Sequence, residues 1–363
     1  MMKKICFVVV MLFQISFFNQ QAISCSTFCL KDSSNIIYGR SFDWDIGYGY
    51  MMTNLRNVAK TRFLPYDEIA ATWTSQYGSV TFNQYGREYP IGGINETGLV
   101  VEVMTLGNTQ YVNQDERAAI DELGWVQYQL DNSATIQDVI DSDKKIRISN
   151  KTFVKLHFLI TDKNGETLAV EFLNGKVTYH YKESLPQACL TNTDYANSLS
   201  YLKTRKGFGG EEPIDYKNHA SAHSLERFAI VSDMLSDYKT DSEMSIVDYS
   251  FTVLDHVKDY KRSQFQIVYD IPNKRIHFRS LQSTNIKIVD FDDFNFDCTA
   301  TPMMIDVNTT QQGNIGDHFT PYDFELNKEL VIKSYRETGI NLPENILTKI
   351  VEWPENNKCV QLK

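Results

Sequence analysis

Two Asn-Gly dipeptides, Asn164-Gly165 and Asn174-Gly175, stand between short runs rich in β-branched and aromatic residues. Such pairs adopt the left-handed backbone that tight hairpin turns require, so they predict antiparallel hairpins joining strands at 156–161, 167–172 and 177–181. This stretch is thereby committed to an antiparallel sheet. Residues 26–30 and 35–44 read the same way, separated by the turn-forming Lys31-Asp32-Ser33-Ser34. Short extended pieces follow from 52 to 90, and the near-continuous apolar run 98–106 suits a buried central strand. The period then changes. Over 115–130 the apolar positions Ala118, Ile120, Leu123, Trp125, Val126, Tyr128 and Leu130 lie broadly on one helical face. Asn132-Ser133 signals the start of a second helix at 136–140. Two more helices are predicted within 224–238 and 245–257, then strands at 265–269, 275–278 and 286–291, and a last helix at about 322–338. Strands and helices in this alternating order predict an α+β chain with largely antiparallel sheets.

At the head of the chain the pattern is that of an export signal. Lys3 and Lys4 precede an apolar run from Ile5 to Phe18, and Ala22 and Ser24 are the small residues expected before a cut ahead of Cys25. Residues 1–24 are therefore expected to be a signal peptide, and 25–363 a single domain that is exported, periplasmic or secreted. The run is short for a membrane span. Losing Lys3 and Lys4 and no acid moves the formal charge from -10 to -12, which argues against nucleic acid or anionic membranes as partners.

Cysteine usage points to the same junction. Cys6 lies in the signal, leaving Cys25, Cys29, Cys189, Cys298 and Cys359. Five is odd, so an exported chain keeps at least one free thiol, and Cys25 is the natural choice. As the first residue after the cut it would carry both a sulfur nucleophile and an α-amine. Two other readings of Cys25 remain: a small core residue, or a lipidated first residue of an envelope protein that binds an amphipathic ligand without catalysis. The bulky aliphatic residue usual in lipidation signals is replaced by Ala22. A papain-like site would need a local signature that is missing, and His157, in an alternating strand, is expected to be packed or on the surface. No His or Cys pair has zinc spacing, and no phosphate-binding or dinucleotide glycine motif is present, so neither a metal nor a cofactor is expected.

Cys25-Ser26-Thr27 followed by Gly39-Arg40-Ser41-Phe42-Asp43-Trp44 resembles the N-terminal signature of the choloylglycine hydrolases, the bile salt hydrolase and penicillin V acylase group of N-terminal nucleophile (Ntn) hydrolases. Gly93-Ile94-Asn95-Glu96-Thr97-Gly98-Leu99, Leu190-Thr191-Asn192 and Glu226-Arg227-Phe228 agree with the family in the same order. The resemblance implies a four-layer αββα sandwich with two antiparallel sheets, and hydrolysis of a small-molecule amide with an apolar acyl part. It also implies a homo-oligomer, with a tetramer among the options.

Roles follow from the same resemblance. Cys25 sulfur would attack the amide carbonyl while its α-amine takes the thiol proton. Arg40 would supply a cation that favours the thiolate, and Asp43 would hold the α-amine, with Asp45 as a nearby competitor. Asn192 and the backbone N–H of Thr105 would stabilise the oxyanion. Thr105 departs from the Asn or Tyr of family members. Arg227 matches the second active-site arginine, although Leu225-Glu226 before it departs from the usual small residues. Asn95 is expected to serve a turn, Glu102 is a potentially buried acid without a role, and loops 48–54 and 203–213 are expected to wall the substrate pocket.

Overall fold

The computed structural model describes residues 24–65, 67–216, 223–240 and 243–360. The apolar head of the expected signal, residues 1–23, lies outside them. Two large sheets carry the architecture. One has seven strands, in the spatial order Cys189–Leu190, β1 (Ser26–Lys31), β2 (Ile36–Asp43), Ser263–Asp270, Arg275–Ser280, Lys287–Asp290 and Gly313–Asn314. It is antiparallel except at its far edge, where the last two strands run parallel. The other has nine strands, all antiparallel, ordered Lys176–Tyr181, Thr167–Leu173, Leu156–Thr161, Val100–Thr105, Pro90–Asn95, Ser79–Asn83, Tyr50–Asn54, Met303–Asp306 and Thr320–Pro321.

Seven helices flank these sheets among the described residues: α1 (Glu122–Asn132), α2 (Ile136–Ser142), α3 (Tyr195–Leu202), α4 (Ser224–Asp237), α5 (Ile246–Val257), α6 (Phe324–Glu337) and α7 (Glu344–Glu352). Helices α4 and α5 cover the outer face of the seven-stranded sheet, and α1 covers that of the nine-stranded one. Between the sheets the inward residues interlock: Phe82 meets Phe265 and Phe278, and the Tyr38 hydroxyl crosses to the Leu159 carbonyl at 3.0 Å. Apolar alternation on facing strands thus buries one continuous core between the layers. This is an αββα sandwich, the architecture that the resemblance implies.

Asn174 and Gly175 both have positive φ, 54° and 72°, in a two-residue loop of the type that matches strand twist. Asn164-Gly165 sits instead in a wider loop between Thr161 and Thr167, organised by Asp162, whose side chain accepts from the backbone N–H groups of Asn164 and Glu166. The helix predicted from 115 starts later. Ala118–Ile120 pairs in parallel with Ile146–Ile148, and Asp121 then caps α1 by accepting from the Gly124 N–H at 2.8 Å. The apolar alternation of Ala118 and Ile120 fits both periods, and the pairing partner 28 residues downstream of Ala118 decides for the strand. Helices α3 and α7 had no sequence-based expectation.

Candidate active site

Cys25 stands at the head of β1, buried, with its thiol 3.6 Å from the Asp43 carbonyl oxygen at the end of β2. The hairpin register sets Ser26 opposite Ser41 and Thr27 opposite Arg40. Arg40 and Asp43 are three residues apart on one strand, an odd separation, so they project from opposite faces of the sheet. Arg40 points into the space between the sheets and Asp43 toward the helical layer. Both charges still act on the Cys25 sulfur, because it lies at the strand end where the two faces meet.

The Arg40 guanidinium is fully buried. Its Nε lies 3.4 Å from Glu102 Oε2 on the opposite sheet, and its remaining donors have no hydrogen-bond partner among the described residues. Glu102 in turn accepts from the Tyr269 hydroxyl at 2.5 Å. The carboxylate fits because Gly92 faces it across the neighbouring strand; a Cβ there would collide with it. Burial pushes Glu102 up to about 7 against the opposing pull of Arg40 and Tyr269. The acid left without a role by sequence reasoning is thus the cross-sheet partner of Arg40.

Asp43 Oδ1 accepts from Ser263 at 2.6 Å and Ser41 at 2.8 Å, whereas buried Oδ2 has no partner among the described residues. A β-bulge makes the Ser263 contact. Pairing slips between Ser263 and Phe265, setting Ser263 opposite Asp43, and bulges re-aim side chains in this way beside active sites. Burial raises the Asp43 carboxyl to about 6, with Ser263, Arg227, Ser41 and Arg40 all working against the rise. Asp45 is engaged elsewhere, by Arg262 at the surface.

From α4, the Arg227 side chain reaches the head of β1. Its Nη1 donates to the Ser24 carbonyl, to the Cys25 carbonyl at 2.6 Å and to the Ser26 hydroxyl at 2.7 Å, while Nη2 donates to Asn192 Oδ1 at 3.0 Å. Asn192 Nδ2 donates to the carbonyl and hydroxyl oxygens of Thr105, both at 3.0 Å, so Thr105 engages the amide expected to face an oxyanion. Since the Leu106 N–H donates to Lys155, the Thr105 N–H and C=O point the other way, toward Asn192. His157 is packed, as expected: its ring lies 2.7 Å from the Thr191 carbonyl and 3.1 Å from Glu171, bracing the turn into Asn192. Asn95 is likewise structural, donating to the carbonyls of Leu130 and Ser133 at 2.8 Å and accepting from Thr97 and Leu99 in its turn.

Burial raises the Cys25 thiol above its ordinary value, Arg40 lowers it, Asp43 raises it further, and the backbone contact and Arg227 pull it down. A thiol so placed keeps its proton until a base takes it. An apolar cavity opens beside the sulfur, lined by Arg40, Phe42, Trp44, Tyr85, Ile91, Thr105 and Leu156 among others. Neither segment expected to wall it does so. Tyr50–Asn54 is a strand of the nine-stranded sheet with Met51 to Asn54 buried, because its alternation pairs on both sides, and 203–213 lies away from the cavity lining. Sequence reasoning missed Ser263, Tyr269 and Tyr85, since their roles arise only from pairings far along the chain. Among the described residues no cluster of three His, Cys, Asp or Glu is placed to hold a metal ion.

The chain that carries this buried cysteine has relatives among known proteins. Residues 25–224 match the family model of the linear amide C–N hydrolases, choloylglycine hydrolase family, and the chain belongs to that family: it is a hydrolase of linear amide C–N bonds. Its relatives include a penicillin V acylase of Pectobacterium atrosepticum, 22% identical over 347 residues that span 83% of this chain and 91% of the relative. The fold resembles that of penicillin V acylase from Agrobacterium tumefaciens, with a TM-score of 0.69 and 21% identity over 82% of this chain and 98% of that one. A variant of conjugated bile acid hydrolase from Clostridium perfringens superposes with a TM-score of 0.62 at 15% identity, covering 82% and 97% of the two chains.

Proposed function

We propose that cleavage between Ser24 and Cys25 produces the working enzyme, an exported amidohydrolase with Cys25 as its nucleophile and a thioester intermediate. The observation that carries this reading is the buried Asp43 Oδ2, without a hydrogen-bond partner among the described residues, beside a thiol that burial keeps protonated. Freed from Ser24, the Cys25 nitrogen becomes an amine with an ordinary pKa of about 7.7 to 8.0, for which that oxygen is the acceptor. The amine takes the thiol proton, the sulfur bonds to the substrate carbonyl carbon, and the C–N bond breaks as the proton passes to the departing amine. Water, deprotonated by the same nitrogen, then releases the acid and restores the thiol. Arg40 favours the thiolate from the inter-sheet side. Arg227 holds the Cys25 carbonyl and the Asn192 side chain. Asn192 and the Thr105 N–H serve the oxyanion once substrate displaces the Asn192–Thr105 contact.

The apolar cavity suits a substrate with an apolar acyl part, of the bile salt, penicillin V or N-acyl homoserine lactone type. The relatives named for penicillin V and conjugated bile acid support the first two of these. Assembly into a homo-oligomer, for which light scattering is the check, belongs to the same reading.

Intact mass and N-terminal sequencing of exported protein test it first. A chain starting at Cys25 with a free amine, forming an acyl adduct on that residue and releasing a burst of amine, is the expected result. A diacylglyceryl-modified Cys25, or full activity of Cys25→Ser, would overturn it; burial of the Cys25 side chain already disfavours the lipidated envelope protein.

A further inference from the structure

A second cavity adjoins the one at Cys25. It lies beneath the C-terminal helices, walled by Phe63, Tyr335, Ile340, Ile346 and Ile350, and three residues, Tyr85, Leu123 and Val154, line both spaces. The cavity volumes are about 70 Å³ here and 40 Å³ at Cys25, each several times the roughly 10–15 Å³ that admits one water. The aromatic side of the waist between them is held in place: Trp44 donates to the Tyr85 hydroxyl at 2.9 Å, and the Tyr85 ring meets Tyr335 edge-on at 5.4 Å. The other side is aliphatic.

Two acids border the second cavity, and neither leaves an uncompensated charge there. Asp121 is paired with Arg62 and caps α1. Glu122 accepts from the Val154 N–H at 3.0 Å, and burial, reinforced by Asp121, pushes it up to about 8. A cavity whose wall is apolar and whose buried acid is largely protonated at neutral pH binds hydrocarbon and disfavours charged ligands.

We propose that the two cavities form one acyl-binding track, with the scissile carbonyl at Cys25 and the distal half of a straight medium- to long-chain acyl group beneath α6 and α7. This rests on the amidohydrolase reading above. The small volume at the sulfur suits a chain one carbon wide better than a fused-ring acid, and the far end is closed by Tyr335 of α6 and by Ile346 and Ile350 of α7.

The test is a series of N-acyl amides of one amine, from butanoyl to dodecanoyl, together with calorimetric titration of the products butanoate and dodecanoate. Each buried methylene strengthens binding by roughly fourfold at best, so kcat/KM is expected to rise at least tenfold across the series and dodecanoate to bind at least tenfold tighter than butanoate. Filling the far cavity with Ile346→Trp is expected to lower the dodecanoyl-to-butanoyl ratio of kcat/KM about tenfold. A wild-type profile that is flat or falls with chain length overturns the proposal while leaving the amidohydrolase intact. So does an equal loss on all substrates in the folded variant. Tight dodecanoate binding without hydrolysis of any amide upholds the track and removes the amidohydrolase reading instead.

Discussion

Asp43 connects the charges around the thiol to the bulge that aims Ser263 at it. Burial lifts this carboxyl to about 6, and the Ser263 hydroxyl is the first of the contacts that restrain the rise. A hydrogen bond to a charged group is worth about 1.5 kcal/mol or more, close to one pKa unit. In Ser263→Ala the carboxyl therefore rises further, and the ionised Asp43 that the proposed mechanism places at the α-amine is reached only at higher pH. The acid limb of the pH profile of kcat/KM is expected to move up by roughly one unit, and an unmoved limb would show that Asp43 does not govern it. Glu102 faces Arg40 across the sheets, its Oε2 3.4 Å from the guanidinium Nε.

Helix α1 begins with two acids in different surroundings. Asp121, the cap, is paired with Arg62, whereas Glu122 is buried, accepts from the Val154 N–H and is raised to about 8, first by burial and then by its acidic neighbour. An unfolded glutamate titrates near 4.3. The folded chain therefore binds the extra proton, and its stabilisation, complete below about 4.3, is lost as pH rises toward 8. Glu122→Gln keeps an acceptor for Val154 and removes the titration. Between pH 5 and pH 8 the fall in unfolding free energy is expected to be smaller in the variant by on the order of 2–4 kcal/mol. Urea titrations at the two pH values measure it, and parallel losses in both proteins would place Glu122 in water.

The whole molecule is closed by its last described residues. Lys358–Cys359 pairs with the strand Val58–Thr61, Trp353 packs on Phe63, and Cys298 is bridged to Cys359 across 61 residues, tying α6 and α7 to the body. Replacing both cysteines with serine is expected to cost about 2–4 kcal/mol by freeing that loop in the unfolded chain, read as a lower urea midpoint; an unchanged midpoint would mean the bridge contributes nothing. Local chemistry alone determined the Asn174-Gly175 turn, most strands of the two sheets and the helices α4, α5 and α6, because turn dihedrals and side-chain period are properties of neighbours in the chain; the set Cys25, Arg40, Asp43, Asn192 and Arg227 was singled out by the resemblance to a known family. Tertiary structure decided that Ala118–Ile120 is a strand, that 50–54 is sheet and not pocket wall, that Glu102 and Tyr269 stand behind Arg40, and that α7 closes a cavity adjoining the one at Cys25. Each of these depends on which distant segment lies across the gap, and burial, pairing and charge compensation act only after the chain has brought such segments together.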